Sequence, residues 1–241
     1  MAKEVSKTQI DRLGDRLKSG NITEDDLRLL DQYRRSFADA YDTVVGVIRD
    51  KLGLEPTGRP AKSTTSIADK LKRESIRLTQ IQDIAGCRII VSDIAEQETV
   101  IQSITSFFQQ ATVIDRREKP SHGYRAVHVV VNCKGKLIEI QIRTSLQHAW
   151  AEMSEKLSDV IDPSVKYGGG PEELREPLQS LSEIISNGES REKKLVDALA
   201  KVPANIQIPG DTQQKVDKAQ EKLKQHRQLL YDELKAIIDD I

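Results

Sequence analysis

Long apolar runs are missing from this sequence. No stretch approaches the roughly 18 consecutive apolar residues of a membrane-spanning helix, and Met1-Ala2-Lys3-Glu4 lacks the apolar core of a secretory leader. The expectation is a soluble, cytoplasmic protein with no membrane partner. Cysteine is scarce as well. Cys87 and Cys133 both fall in expected strands, which fits buried free thiols in a reducing compartment better than a disulfide framework. Two Cys and four scattered His give no zinc-ligand spacing. A strong charge of one sign is also lacking: the formal net charge of −1 argues against a wholesale nucleic-acid coat and leaves room for a local basic patch. Neither a Gly-x-x-x-x-Gly-Lys-Ser/Thr phosphate loop nor a kinase signature occurs. Aromatics are 4% of the chain, which singles out Tyr124 and Trp150.

What is present is 241 residues, 31% of them charged, enough for one larger domain or a compact domain with an appendage. Residues 1–20 read as polar, with weak helical character, and peripheral. Thr23 before Glu24-Asp25-Asp26 is a helix N-cap with an acidic first turn. From there Leu27, Leu30, Phe37, Tyr41, Val44, Val45, Ile48 and Leu52 form one continuous stripe, predicting a single long scaffold helix. Ser63 to Ser66 cap a short basic helix whose amide end suits anions, with Arg59, Lys62, Lys70, Lys72 and Arg73 around it. A solvated basic helix is the plainer reading of the same residues.

The strand Leu137 to Thr144 organises the rest. Alternation places Ile138, Ile140 and Ile142 on one face and Glu139, Gln141 and Arg143 on the other. Upstream, Ala126 to Cys133 alternates Val127, Val129 and Val131 against His128, and a tight turn at Lys134-Gly135-Lys136 joins the two strands as a hairpin. That hairpin would set His128 on the polar face with Glu139 and Gln141. Before Ile89, Asp83 stands at a strand start, and Gly86 provides either a close backbone approach or a positive φ. After Asp93 a helix is expected from the spacing of Val100, Ile101, Ile104, Phe107 and Phe108, followed by a strand around Ala111 to Asp115. The loop Arg116 to Arg125 is basic and carries Tyr124, a stacking platform for a base or a tyrosine packed under the loop. Ser145 is expected to cap a helix with Leu146, Ala149, Trp150, Met153 and Leu157 on its core stripe and His148 and Glu152 on an adjoining face. Helices follow over Glu172–Asn187 and Ser190–Lys201, then a linker from Pro203 to Asp211. A last helix has Val216, Leu223, Leu230 and Ile237 in sevenfold spacing and is expected to lie back on the domain, with a coiled-coil partner helix as the sharper reading of its narrow seam.

Two carboxylates on neighbouring strands hold Mg²⁺ readily, and surrounding cations fit a triphosphate. Phosphoryl-type transfer needs mainly positioning and charge neutralisation. The residues alone therefore point to a Mg²⁺-dependent enzyme acting on a nucleotide. The motifs Lys62…Ser66-Ile67…Lys70-Leu71, Asp83-Ile84-Ala85-Gly86-Cys87-Arg88-Ile89-Ile90, Gly123-Tyr124-Arg125-Ala126-Val127-His128 and Glu139-Ile140-Gln141-Ile142-Arg143-Thr144 resemble, in order and spacing, the RelA/SpoT synthetase domain over roughly residues 55–160. The resemblance implies an α+β fold, a mixed central sheet flanked by helices of the nucleotidyltransferase-like kind, with helical N- and C-terminal extensions. It implies transfer of the β,γ-pyrophosphate of ATP to the 3′-hydroxyl of GDP or GTP, making (p)ppGpp. By position, Asp83 and Glu139 would bind Mg²⁺, with Glu139 also acting as base. Lys62, Ser66 and Lys70 would cradle ATP phosphates, while Arg59 and Arg88 stack on adenine. Tyr124 would stack on the acceptor base with Lys119, His128 and Gln141 nearby.

The chain departs from the small synthetases in two places. Arg59 stands three residues before Lys62 rather than two, and Ser154-Glu155-Lys156 stands where they carry Glu-His-Lys. No His-Asp pair occurs, so the family's hydrolase domain is not expected. The domain expectation is an N-terminal helical segment (1–54), a synthetase core (55–165) and a C-terminal helical extension (166–241). The extension would offer a homo-oligomer or antitoxin contact. A toxin branch of the family pyrophosphorylates the tRNA 3′-end, and Arg116, Arg117, Lys119, Arg125, Lys134 and Lys136 would suit that acceptor. Both carboxylates being present argues against a dead nucleotide sensor.

Overall fold

The computed structural model describes residues 5–59, 61–202 and 209–241, with the Arg59 side chain outside that description. Five strands form one mixed sheet in the order β1-β2-β5-β4-β3: β1 (Thr57–Arg59), β2 (Ala85–Val91), β3 (Thr112–Asp115), β4 (Val127–Cys133) and β5 (Lys136–Thr144). The helices are α1 (Lys7–Ser19), α2 (Glu24–Arg35), α3 (Ala38–Leu52), α4 (Thr64–Arg73), α5 (Ile94–Phe107), α6 (Ser145–Val160), α7 (Glu172–Ala200) and α8 (Gly210–Asp240). Two compact units result: Met1–Ile89 with Gln102–Ile114 and His128–Gln141, and Ile90–Ile101 with Asp115–Val127 and Ile142–Ile241.

In the first unit α1 is not peripheral, contrary to expectation. Ser6 and Gln9 form a capping box, and Ile10, Leu13 and Leu17 are buried on one stripe. Asp11 accepts hydrogen bonds from the Thr79 amide and hydroxyl at 3.1 and 2.6 Å. Three apolar residues at helical spacing after a Ser-x-x-Gln cap were the signal for this helix. The single scaffold helix is two, broken at Ser36 and Phe37. The break turns the stripe: Phe37 packs edge-on against Tyr33, whereas Leu27 is 46% exposed. β1, not among the strands expected from the sequence, pairs antiparallel with β2, Gly58 opposite Cys87. A Cβ on Gly58 would lie 2.5 Å from the Gly86 carbonyl oxygen, so glycine is what lets the two strands close up. Lys134 and Gly135, with φ of 50° and 74°, make the two-residue β4–β5 turn with positive φ at both positions.

In the second unit the core gathers Leu146, Ala149, Trp150, Met153, Leu178, Ile185, Leu234 and Ile238. Thr144, not Ser145, caps α6, in a capping box with Gln147. The two helices expected between Glu172 and Lys201 are one, α7, continuing through Gly188. Tertiary packing of Ile185 and Glu189 on either side of that glycine outweighs its roughly 1 kcal/mol helix penalty. α8 packs on α6 through Leu234 and Ile238, while Ile237 of the sevenfold series is 50% exposed. Most of the expected linker from Pro203 lies outside the described residues. Among the described residues, no helix is long and apolar enough to cross a membrane.

Candidate active site

Asp83 and Glu139 each sit in a fixed hydrogen-bonding cage. Asp83 lies two residues before β2, and Lys62 and Lys70 reach it from either end of the α4 region. Lys62 Nζ is 2.7 Å from Oδ2 and Lys70 Nζ 2.9 Å from Oδ1. The Ser63 hydroxyl caps α4 by accepting from the Ser66 amide and donates to the Ser66 hydroxyl at 2.7 Å. Lys70 lies two turns further along the same helix, on the side of Asp83. Burial pushes the Asp83 carboxyl up, but the two lysines outweigh it and hold it below the usual carboxylate range. This pair of contacts brings together three residues read from sequence as one phosphate and metal site.

Glu139 is 8% exposed in the middle of β5, and His128 on β4 is equally buried. The hairpin turn sets their register, so His128 Nδ1 lies 3.0 Å from Glu139 Oε1. A carboxylate can only accept, so Nδ1 carries the proton of this bond. Gln141, two residues on and on the same face, donates Nε2 to Oε2 at 2.8 Å. Burial again raises the Glu139 carboxyl, and so does the charge of Asp83. The hydrogen bonds and charge of His128, with the Gln141 amide, bring it below its ordinary value. The net result is an ionised, buried carboxylate whose two oxygens are, among the described residues, each engaged once. Each oxygen keeps a lone pair for a further partner.

Gly86 realises the close-approach reading, since it is not among the positive-φ glycines. A Cβ there would stand 2.7 Å from the Glu139 carbonyl oxygen and 3.5 Å from its Cβ. Glycine on β2 thus fixes how near the Asp83 strand lies to the Glu139 strand. Arg88 is half-buried on β2, opposite Thr57. The Arg59 side chain, the other expected adenine contact, lies outside the described residues.

Tyr124 and Lys119 belong to the second unit. Lys119 is exposed. Tyr124 is half-buried and its hydroxyl accepts from Arg143 Nη2 at 3.0 Å, with the guanidinium carbon 5.0 Å from the ring centroid. Arg143 stood out in the sequence only as a guanidinium on the polar face; its partner nineteen residues away was not legible. Several cations expected to form an open basic surface are committed internally. Arg117 binds Asp115 at 2.5 Å and Glu98 at 2.8 Å, and Arg125 binds Ser182 at 3.0 Å and the Arg117 carbonyl. Lys134 pairs with Asp39 at 2.7 Å, and Lys136 stands 4.9 Å from the Phe37 ring centroid. A buried polar network escaped sequence reading altogether. Glu189 on α7 accepts from the Thr144 hydroxyl and, at 2.9 Å, from Gln147 Nε2, and Gln97 Nε2 donates to Gln147 Oε1 at 3.0 Å.

The donor set suits a hard divalent cation. Asp83 and Glu139 supply carboxylate oxygens and are near enough for the charge of one to oppose ionisation of the other. No cluster of three or more His, Cys, Asp or Glu ligands occurs among the described residues. Two carboxylates completed by substrate phosphates is the usual arrangement for Mg²⁺.

Comparison with known proteins places these residues in context. Residues 58–158 match the region found in RelA/SpoT proteins. An uncharacterized protein of Mycobacterium tuberculosis H37Rv is 33% identical over 181 residues, covering 72% of this chain and 66% of that protein. The GTP pyrophosphokinase YjbM of Bacillus subtilis is 35% identical over 146 residues, 54% of this chain and 65% of that one. The chain thus spans just under two thirds of these relatives' length. The crystal structure of small alarmone synthetase 1 from B. subtilis bound to its product pppGpp superposes with a TM-score of 0.54 at 27% identity, covering 71% of this chain and 100% of that one.

Proposed function

We propose that this chain, whose residues 58–158 match the region found in RelA/SpoT proteins, is a Mg²⁺-dependent pyrophosphokinase that transfers the β,γ-pyrophosphate of ATP to the 3′-hydroxyl of GDP or GTP. The observation that carries this reading is the pair of cages: Asp83 held by Lys62 and Lys70, and Glu139 held ionised by His128 and Gln141. The names of the relatives, a GTP pyrophosphokinase and an alarmone synthetase, support it. In this reading residues 55–165 carry the synthetase core, with helical segments 1–54 and 166–241 on either side.

Asp83 and Glu139 would hold the metal, which when bound supplies charge neutralisation to the transferred phosphates. The residues of the chain do the rest. Lys62, Lys70 and Ser66 receive the phosphate chain of ATP, the lysines exchanging part of their contact with Asp83 for phosphate oxygens. Arg88 and Arg59 stack on adenine. Tyr124, steadied by Arg143, stacks on the guanine of the acceptor, with Lys119 at its phosphates. Glu139, oriented by the His128 N–H and the Gln141 amide, accepts the proton of the 3′-hydroxyl as the bond from O3′ to the β-phosphorus forms. The bond from that phosphorus to the α-phosphate oxygen breaks, and AMP leaves with the electron pair. A base already ionised at neutral pH is what this step needs.

The test is incubation of the protein with Mg²⁺ and ATP labelled at the γ-phosphate, offered GDP, GTP and tRNA together. Label on the guanine nucleotide, with AMP formed in equal amount, supports the proposal. Label confined to tRNA overturns the assignment of the acceptor, and loss of label to inorganic phosphate alone overturns the transfer.

A further inference from the structure

We propose that Ser182, on α7 and outside the family region, is a positioning residue for the acceptor: it fixes the loop that presents Tyr124. The inference rests on the reading of Tyr124 as the acceptor's stacking platform.

Ser182 is 2% exposed. Its hydroxyl donates to the Gly123 carbonyl at 2.5 Å and accepts from Arg125 Nε at 3.0 Å. One hydroxyl therefore holds the residues immediately before and after Tyr124, using its single proton in one direction and a lone pair in the other. The loop needs such a hold. Ser121 and Tyr124 exchange backbone hydrogen bonds at 3.2 and 3.0 Å around His122 and Gly123, whose φ angles are 53° and 88°. Left-handed backbone at both central positions is the pattern of a type I′ turn, and a non-glycine residue such as His122 adopts it at a cost.

The other supports converge on the same helix. A Cβ on Gly123 would stand 2.6 Å from Trp150 Cζ2 and 3.4 Å from Ser182 Cβ, so the turn is pressed against both. Trp150 Nε1 donates to the Leu178 carbonyl at 2.8 Å, one turn before Ser182 on α7. A Cβ on Gly168 would run into the His122 ring, which closes the turn from the third side. Tyr124 itself is tied at its hydroxyl by Arg143. With the ring held at one end and its backbone clasped by Ser182, the platform is set before the acceptor arrives, and less ordering is left for binding to accomplish.

Ser182→Ala leaves the Gly123 carbonyl without its donor and Arg125 Nε without its acceptor, so the loop moves while α7 keeps its apolar seat. Leu178→Ala, which thins that seat and leaves both hydrogen bonds of Ser182 in place, is the comparison. Three measurements are made on wild type and both variants: thermal melting, steady-state kinetics with each substrate varied, and amide hydrogen exchange over residues 121–125. Ser182→Ala is expected to raise the KM for GDP and GTP about fivefold, the loss of roughly one hydrogen bond. Its KM for ATP stays within twofold of wild type and its loop amides exchange faster. Leu178→Ala is expected to lower Tm without moving the acceptor KM. If Ser182→Ala lowers Tm as Leu178→Ala does and leaves the acceptor KM unchanged, Ser182 is structural only and the inference is overturned. The same holds if the loop amides exchange at the wild-type rate. If wild type transfers nothing to guanine nucleotides, the functional reading itself has failed, and the role assigned to Ser182 fails with it.

Discussion

His128 and Glu139 share a hydrogen bond of 3.0 Å across the β4–β5 hairpin, both nearly out of solvent. The bond exists because a two-residue turn sets the register of two strands whose opposite faces carry valines and isoleucines. An imidazole N–H placed there serves the carboxylate twice: it offsets the cost of burial and, with the Gln141 amide on the other oxygen, it fixes the orientation of the carboxylate.

Glu139→Gln keeps the shape and loses the base. We expect kcat to fall by about 10²–10⁴-fold with the far-ultraviolet spectrum unchanged. His128→Ala should act through pH instead. Without its first stabilising partner the buried Glu139 carboxyl rises, so the acid limb of the kcat profile moves to higher pH. A limb that stays in place, or moves lower, would show that His128 does not set the ionisation of Glu139.

Asp83 makes a prediction about stability. Its carboxyl is lowered on folding, so its contribution is present above the ordinary carboxylate range and is lost as pH falls through the lower folded value. In Lys62→Met only Lys70 opposes burial. The carboxyl then rises toward its unfolded value, so the acid-side loss of Tm is smaller than in wild type and is complete at a higher pH. A thermal-melting series between pH 3 and pH 7 reads this directly; identical acid limbs would refute it.

Glu189 carries the opposite sign. Burial raises its carboxyl above the usual range, more than Thr144 and Gln147 lower it. The folded state holds this proton more tightly than the unfolded chain, so its contribution is full at acid pH and is lost as pH rises through the folded value. In Glu189→Gln that loss is absent. The Tm difference, variant minus wild type, should therefore increase as pH rises from the carboxylate range toward neutrality, and a difference that shrinks would contradict the assignment.

Gly86→Ala tests the spacing of the two carboxylate strands. Its Cβ would meet the Glu139 carbonyl oxygen at 2.7 Å, a backbone atom that cannot swing aside. Overpacking of this kind costs about 1–3 kcal/mol, measurable by denaturant titration. Because the atom displaced belongs to Glu139, kcat should fall as well. A variant with wild-type kcat would mean that β5 tolerates the shift.

The sequence by itself determined the parts of this protein that depend on short-range periodicity. Alternation along β4 and β5, with the turn at Lys134 and Gly135, was enough to put His128 beside Glu139. The Ser63 cap placed α4 and its cations, and the apolar stripe of α6 placed Trp150 in the core. Tertiary structure decided what those rules cannot reach. Ser36 and Phe37 have helical backbone angles where α2 gives way to α3, so nothing local announced the break. Gly188 sits inside α7 because its neighbours are buried, and Ile237 faces solvent because the core takes Leu234 and Ile238 instead of the sevenfold seam. Lys62 and Lys70 converge on one carboxylate from positions 21 and 13 residues away, Arg143 finds Tyr124 across 19, and Ser182 finds Gly123 across 59. Propensity and periodicity act over a few residues. Burial, and the need of each buried polar group for a partner, act over the whole chain.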